Sequence, residues 1–167
     1  NFAIGGMTGN MCCGFYQPSQ DLANAFQTSN GLPLLDTYNQ TDIANDAGIN
    51  SDEPFTPHAG PLDPRIDFTI GRRGIEYNGY GKFTGKENIR ASFSDISGPY
   101  AAKKSMYYAG DDTNKGTGGW GQQRSGINYH IIRYADVLLM AAEAAVETGS
   151  LETARGYVNQ VRQRAID

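Results

Sequence analysis

The stretch from Tyr129 to Ala165 constrains the fold more than any other part of the chain, because two adjacent apolar stripes in it share the helical period. Leu138, Ala141, Ala142, Ala145 and Val146 recur at the three-and-four spacing that places them on one helix face, with Glu143 and Glu147 pointing elsewhere. Thr148-Gly149 stops that helix, since glycine accepts the left-handed backbone that closes it, and Ser150 is placed to cap the next. In the second helix Leu151, Ala154, Val158 and Val161 line one face, while Arg155, Asn159, Arg162 and Arg164 stay on wet sides. Two helices joined so briefly must be antiparallel neighbours. Small residues at Ala142 and Ala154 let the backbones approach closely, as in one tetratricopeptide-like unit. Such units need roughly three neighbours before a core closes, so a single pair predicts that the chain is a fragment of a larger protein.

The remaining residues, 1 to 128, read differently. Most of the 21 glycines fall there, together with most of the tyrosines, and the pattern predicts a loop-rich region with short helices and small strands. Ser19 and Asp21 open a short helix whose Leu22, Ala25 and Phe26 share a face and which Asn30-Gly31 ends. Residues 36 to 61 carry enough Asn, Asp, Gly and Pro for a long irregular excursion. Asp63 is placed to cap a turn at Pro64, and Arg65 to Ile70 alternates weakly as a strand. Gly71 to Gly85 sets Tyr77, Tyr80 and Phe83 among glycines as exposed aromatics, and Lys103 to Tyr108 reads as an edge strand. The whole is a mainly α chain in two parts, a loop-rich region over 1–128 and a helix pair over 129–167.

Charge and composition exclude several functions. A net charge of -4 opposes the gripping of phosphate backbones, so nucleic acid is not a predicted partner. No apolar run reaches the roughly 20 residues that would span a bilayer. Cys12 and Cys13 are adjacent and would bridge each other only with strain, which predicts free thiols. Asp111-Asp112-Thr113-Asn114 lacks the alternation and the distal glutamate of a calcium loop and reads as a solvated turn. Asp63 and Asp67 as a hydrolytic pair would need a fixed separation that sequence does not supply. His58 and His130 lie too far apart in sequence to suggest a metal site, and His130 is expected to pack at the helix entry. Arg133 and Asp136, three apart, are spaced to pair. No phosphate loop, nucleophile elbow or Cys-His pair stands out, so neither a cofactor nor a catalytic residue is predicted.

One ordered set of motifs carries a resemblance. Pro18-Ser19-Gln20-Asp21-Leu22, Asp63-Pro64-Arg65, Lys103-Lys104, Arg133-Tyr134-Ala135-Asp136-Val137-Leu138-Leu139-Met140 with Glu143-Ala144, and Val161-Arg162-Gln163-Arg164-Ala165 follow one another in an order that resembles the SusD/RagB family. The resemblance covers nearly the whole chain, and its Arg-Tyr-Ala-Asp-Val-Leu-Leu-Met run is its most specific part. It implies a cell-surface, outer-membrane lipoprotein of Bacteroidetes that binds glycans, or in some members peptides, without cleaving them. It further implies a seat as a lid on a TonB-dependent transporter and a scaffold of tetratricopeptide-like helix pairs, of which this chain would supply the C-terminal region. The lipid-bearing cysteine, the earlier helix pairs and the usual late Glu-Arg-Arg and Glu-Gly-Arg segment have no counterpart in these residues.

Candidate glycan contacts are aromatic. Trp120, among Gly118, Gly119 and Gly121, offers a flat indole for the CH groups of a sugar ring and an NH for a hydroxyl; the competing use is to anchor its own loop. Tyr77, Tyr80, Tyr107 and Tyr108 offer a stacking face with a polar tip, with ordinary half-buried packing as the alternative. Tyr16 joins them because the resemblance places its region near the ligand cleft. A glycan-capturing component is the leading expectation; a peptide-binding member of the same architecture and a helical protein-interaction module are the rivals.

Overall fold

The computed structural model describes residues 17–50, 52–86, 98–104, 106–115 and 126–164. Chain contacts divide it into two compact units, Asn1–Asn128 and Tyr129–Asp167.

The first unit begins with α1, Gln20–Asn24. Ser19 Oγ accepts from Leu22 N at 3.0 Å and starts it as expected. The buried face is not Leu22, Ala25 and Phe26 but Ala23 and Asn24: Leu22 and Ala25 are exposed and Phe26 only packs partly against the core. A helix of five residues ends before a three-and-four stripe can develop. Asn24 is buried because its amide organises the irregular excursion over residues 36–61. Its Nδ2 donates to Asp42 Oδ1 at 2.7 Å, and its Oδ1 accepts from Ile43 N at 3.0 Å and Gln20 Nε2 at 2.8 Å. Gln27 Nε2 donates to the carbonyls of Tyr38 and Thr41, each at 2.8 Å. Two side-chain amides thus supply the hydrogen bonds that a sheet would otherwise provide to residues 38–43.

Asn30 and Gly31 do not end the helix. Their φ values of 51° and 77° make a two-residue turn between β1, Thr28–Ser29, and β2, Leu32–Pro33, which pair antiparallel with Ser29 opposite Leu32. Asp63 caps Pro64 as expected, its Oδ1 accepting from Arg65 N at 2.9 Å. The backbone then winds into a 3-10 helix over Pro64–Phe68 rather than a strand, because the cap and the fixed φ of proline commit it to a turn. β3 is confined to Ile70–Gly71 and pairs antiparallel with β4, Ala101–Ala102. The strand expected at 103–108 therefore lies just upstream. Lys103 leaves the ladder to place Nζ on the carbonyls of Asp67 at 2.5 Å and Glu76 at 2.7 Å.

The largest core cluster of this unit is Ala23, Ile43, Ile66, Ile70 and Tyr100, with Phe26 and Leu62 packed against it. Charge is buried beside it. Arg72, 6% exposed, donates through Nε at 2.9 Å and Nη2 at 2.7 Å to Asp67 Oδ1. Asp46, 2% exposed, accepts from Lys86 N at 2.9 Å, and Lys86 Nζ donates to Ala47 O at 2.9 Å.

The second unit is α2, Tyr134–Glu147, packed on α3, Leu151–Gln163. Asp136 accepts from the backbone N of Arg133 at 2.9 Å, so this pair closes the helix start through the main chain and not through the guanidinium. At the other end Gly149 has φ 77°, its N–H reaches Val146 O at 2.9 Å, and Ser150 N reaches Ala145 O at 2.8 Å. That is the double closure of a helix by a glycine in left-handed conformation. Ser150 makes no side-chain cap, and the Ala154 N–H is taken by its carbonyl at 3.1 Å instead. Leu138, Ala142, Ala145 and Ala154 are buried, with Tyr157 and Val158 packed beside the alanines. Ala141 and Val161 are half-buried, whereas Val146 and Leu151 stay half-exposed. They line, with Leu139, Val158, Arg155 and Arg162, an open groove of about 700 Å³ along the pair. His130 is exposed rather than packed at the helix entry.

Candidate functional site

Three of the aromatic residues singled out by sequence, Tyr77, Tyr80 and Tyr107, are linked by packing in the first unit, on a tight turn and the segment that crosses it, and Tyr108 follows in the chain. The turn is built by Asn78 and Gly79, at φ 47° and 79°, with Tyr80 N donating to Tyr77 O at 2.9 Å. Glu76 lies opposite Lys82 in an antiparallel bridge, and its Oε1 accepts from Gly79 N at 3.0 Å and Gly81 N at 3.2 Å. Backbone and carboxylate together leave this turn one conformation. The crossing segment is tied on where Ala109 N donates to Asn78 O at 2.9 Å.

The four tyrosines then divide by depth. Tyr77, predicted to be exposed, is 1% exposed, as is Phe83; their ring centroids lie 5.1 Å apart. The Tyr77 hydroxyl donates to Ala102 O at 2.7 Å, and Lys103 Nζ sits 5.7 Å over its ring. Burial drives its phenol well above the ordinary value. Gly71 lets the ring lie where it does: a Cβ there would sit 2.6 Å from Tyr77 Cε2. Tyr107 is also 1% exposed and packs with Met106, against which Tyr80 and Ile127 rest. Tyr80 is half-buried and touches both clusters, so it joins the turn to the crossing segment. Tyr108, at 58% exposure, is the member with a free face.

Polar groups surround these rings. Asp111 closes a local turn, accepting from Thr113 Oγ1 at 2.7 Å, Asn114 Nδ2 at 2.6 Å and Asn114 N at 3.2 Å, which lowers its pKa. Lys115 Nζ meets Asp112 Oδ1 at 2.5 Å, and that bond raises the lysine's pKa. The Tyr80 phenol is raised chiefly by burial; Lys115 opposes this and the carboxylates of Asp111 and Asp112 add to it. Two buried atoms of the turn, Asn78 Nδ2 and Tyr80 Oη, have no hydrogen-bond partner among the described residues. Each is a donor of the kind that an ordered buried water satisfies. Asn78 is absent from the residues that sequence points to; the Asn-Gly pair between tyrosines is the available signal, since it marks a turn of this type.

Trp120 and Tyr16 lie outside the described residues, as do Cys12 and Cys13. Gly126 N donates to Asn114 O at 2.7 Å, joining the two residues between which Trp120 lies in sequence. Asp63 and Asp67 are not a carboxylate pair poised for hydrolysis. Asp63 accepts from Arg65 Nε at 2.9 Å and Asp67 from Arg72, so each is committed to its own arginine. His58 Nδ1 accepts from Ala44 N at 3.2 Å. Among the described residues no three His, Cys, Asp or Glu side chains gather to hold a metal ion, and no helix is long and apolar enough to cross a membrane.

Tyr108 offers an exposed ring beside this cluster, and the acidic turn at Asp111 and Asp112 follows it in the chain; the Tyr80 hydroxyl lies buried. Such a surface can stack on the apolar face of a ring and exchange hydrogen bonds at its edge. Compared with known families, residues 3–167 match the model described as the SusD family. No curated protein matches the chain.

Proposed function

Because the chain belongs to the SusD family, a family of nutrient-binding outer-membrane proteins, we propose that it captures oligosaccharides at the cell surface and passes them to a TonB-dependent transporter without cleaving them. The observation that supports the reading is the packing of Tyr80 against the Met106-Tyr107 cluster, with Tyr108, next in the chain, open to solvent. In this reading Tyr108 stacks on a sugar ring and Tyr80 offers its edge. Tyr77 and Tyr107 are the buried footing that fixes both, and Trp120 and Tyr16 add further contacts. The helix pair belongs to a tetratricopeptide-like stack, which accords with its apolar groove. Anchoring to the outer membrane is by a lipid rather than by a spanning segment.

Affinity electrophoresis of the protein through gels containing single polysaccharides tests the proposal. Retardation by at least one glycan is expected, and Tyr108→Ala and Trp120→Ala should each weaken it by about fivefold or more, as loss of a contact worth roughly 1 kcal/mol or more implies. Unaltered mobility in every glycan would refute the reading. Recovery of peptides that no glycan displaces would instead favour the peptide-binding alternative.

A further inference from the structure

Two Asn-Gly pairs occur in the chain, Asn30-Gly31 and Asn78-Gly79, and both sit in left-handed turns. Such a pair is chemically labile for a reason that lies in its residue types. The backbone nitrogen that follows an asparagine can attack the side-chain amide carbon, and glycine has no side chain to obstruct the approach. The glycine nitrogen bonds to Asn Cγ, the Cγ–Nδ2 bond breaks, and ammonia leaves with the proton that the glycine nitrogen gives up. A five-membered imide remains. Water then opens it at one carbonyl or the other, giving aspartate or isoaspartate, and in the second product the main chain runs through the former side chain. The fold must therefore allow three things: an asparagine side chain free to swing, a glycine N–H that is not held, and a backbone free to leave its turn where water has access.

Asn78-Gly79 is denied all three. Asn78 is 5% exposed, and its carbonyl accepts from Ala109 N at 2.9 Å. The Gly79 N–H is held by Glu76 Oε1 at 3.0 Å, which also takes the Gly81 N–H at 3.2 Å. Tyr77 N donates to Gly81 O and Tyr80 N to Tyr77 O, each at 2.9 Å, so leaving this turn breaks several bonds at once and disturbs the packing of both rings.

Asn30-Gly31 differs on each count. Both residues are exposed, and a Cβ added at Gly31 would meet nothing within 4 Å. The Gly31 N–H is not part of the Ser29–Leu32 pair, and among the described residues no hydrogen bond from outside the hairpin reaches it or the Asn30 side chain. Leu32 and Pro33 of β2 are themselves exposed, so lifting that strand from β1 uncovers no buried side chain. Pairing over two residues is the kind of contact that opens locally while the rest of a fold stays closed.

We propose that Asn30 is a site of spontaneous deamidation in this protein and that the fold protects Asn78 from the same reaction. Each conversion adds one negative charge to the formal -4, and isoaspartate lengthens the main chain at a turn whose two residues set Ser29 opposite Leu32, which undoes the hairpin. The whole chain, kept for days in warm, mildly alkaline buffer and mapped by proteolysis and mass spectrometry, reports the two sites separately. Asn30 should be lost at least about tenfold faster than Asn78, because its turn opens locally. In concentrated urea, where neither turn persists, the difference should vanish. Glu76→Ala frees the Gly79 N–H and should speed conversion of Asn78 without changing that of Asn30. Hydrogen exchange in the parent reads the same lock with no variant: the Gly79 amide should exchange at least about tenfold more slowly than that of Gly31. Equal loss of the two asparagines from the folded chain would overturn the proposal, as would survival of Asn30 over a period in which the urea-unfolded chain converts. An Asn78 rate untouched by Glu76→Ala, or a Gly79 amide that exchanges as fast as that of Gly31, would overturn the role given to Glu76.

Discussion

Gly71→Ala adds one methyl group, and the structure says where it must go. The new Cβ would lie 2.6 Å from Cε2 and 2.8 Å from Cδ2 of Tyr77, and 3.1 Å from the Ala101 Cβ. Carbon atoms pack at about 3.5–4.0 Å, so the ring must retreat by close to an ångström. It has little room to do so. Phe83 lies against it, Lys103 covers its face, and its hydroxyl is bonded to Ala102 O. Overpacking of a filled core costs about 1–3 kcal/mol, and stretching the tyrosine hydrogen bond adds roughly 0.5–1.5 kcal/mol. The expected loss is about 2–4 kcal/mol, which in a chain of this length lowers Tm by about 5–15 °C. Urea unfolding followed by near-ultraviolet circular dichroism, which reads the tyrosine surroundings, measures it. The double variant Gly71→Ala with Tyr77→Leu removes the obstructing ring and should lose less than the sum of the two single changes. A Gly71→Ala protein within about 0.5 kcal/mol of the parent, the range of an inconsequential surface change, would refute the reasoning that Tyr77 is rigidly seated.

The same chemical change has the opposite sign at Gly156, which lies inside α3 with nothing within 4 Å of an added Cβ: Gly156→Ala should stabilise by about 0.8–1 kcal/mol, seen as a rise in the far-ultraviolet melting midpoint. Asn24→Leu keeps the volume but strands the buried amide of Ile43, at about 1–3 kcal/mol, while the exposed Asp42 carboxylate turns to water; hydrogen exchange at the amide of Ile43 should speed up with that loss. The arginine beside Asp63 holds the folded carboxyl's pKa below the unfolded value of 3.8, so on acidification the unfolded chain takes up the proton first. The stabilisation is therefore complete above that value and is lost as pH falls below it. Asp63→Asn, which keeps a capping oxygen, should flatten the slope of unfolding free energy against pH between about 5 and 2, and an unchanged slope would count against the pairing.

Local signals are legible in the sequence, and long-range ones are not. Ser19, Asp63 and Gly149 act within a few residues of themselves, and each does what its residue type predicts. The α2 and α3 stripes are legible for the same reason, since helical period is written in consecutive residues; Val146 and Leu151 keep that period but line the open groove along the pair and stay half-exposed. Tyr77 reads as exposed in the sequence because nothing adjacent to it says that Ala102, 25 positions later, will supply a carbonyl to its hydroxyl. Asn24 and Gln27 give no sequence signal at all, since a buried amide that holds an irregular loop has no periodicity to betray it. Residue type is enough to find the four tyrosines, but packing between segments distant in the chain decides which of them faces outward.

The turn at 77–80 places neighbouring aromatic side chains under very different obligations. Tyr77 is pinned on every side, by Gly71, Phe83, Lys103 and the Ala102 carbonyl, and tolerates almost no replacement. Tyr108 stands in solvent and owes nothing to the interior. Replacing the outward ring therefore costs the interior nothing, whereas any change to the hidden ring is felt by every segment that meets there.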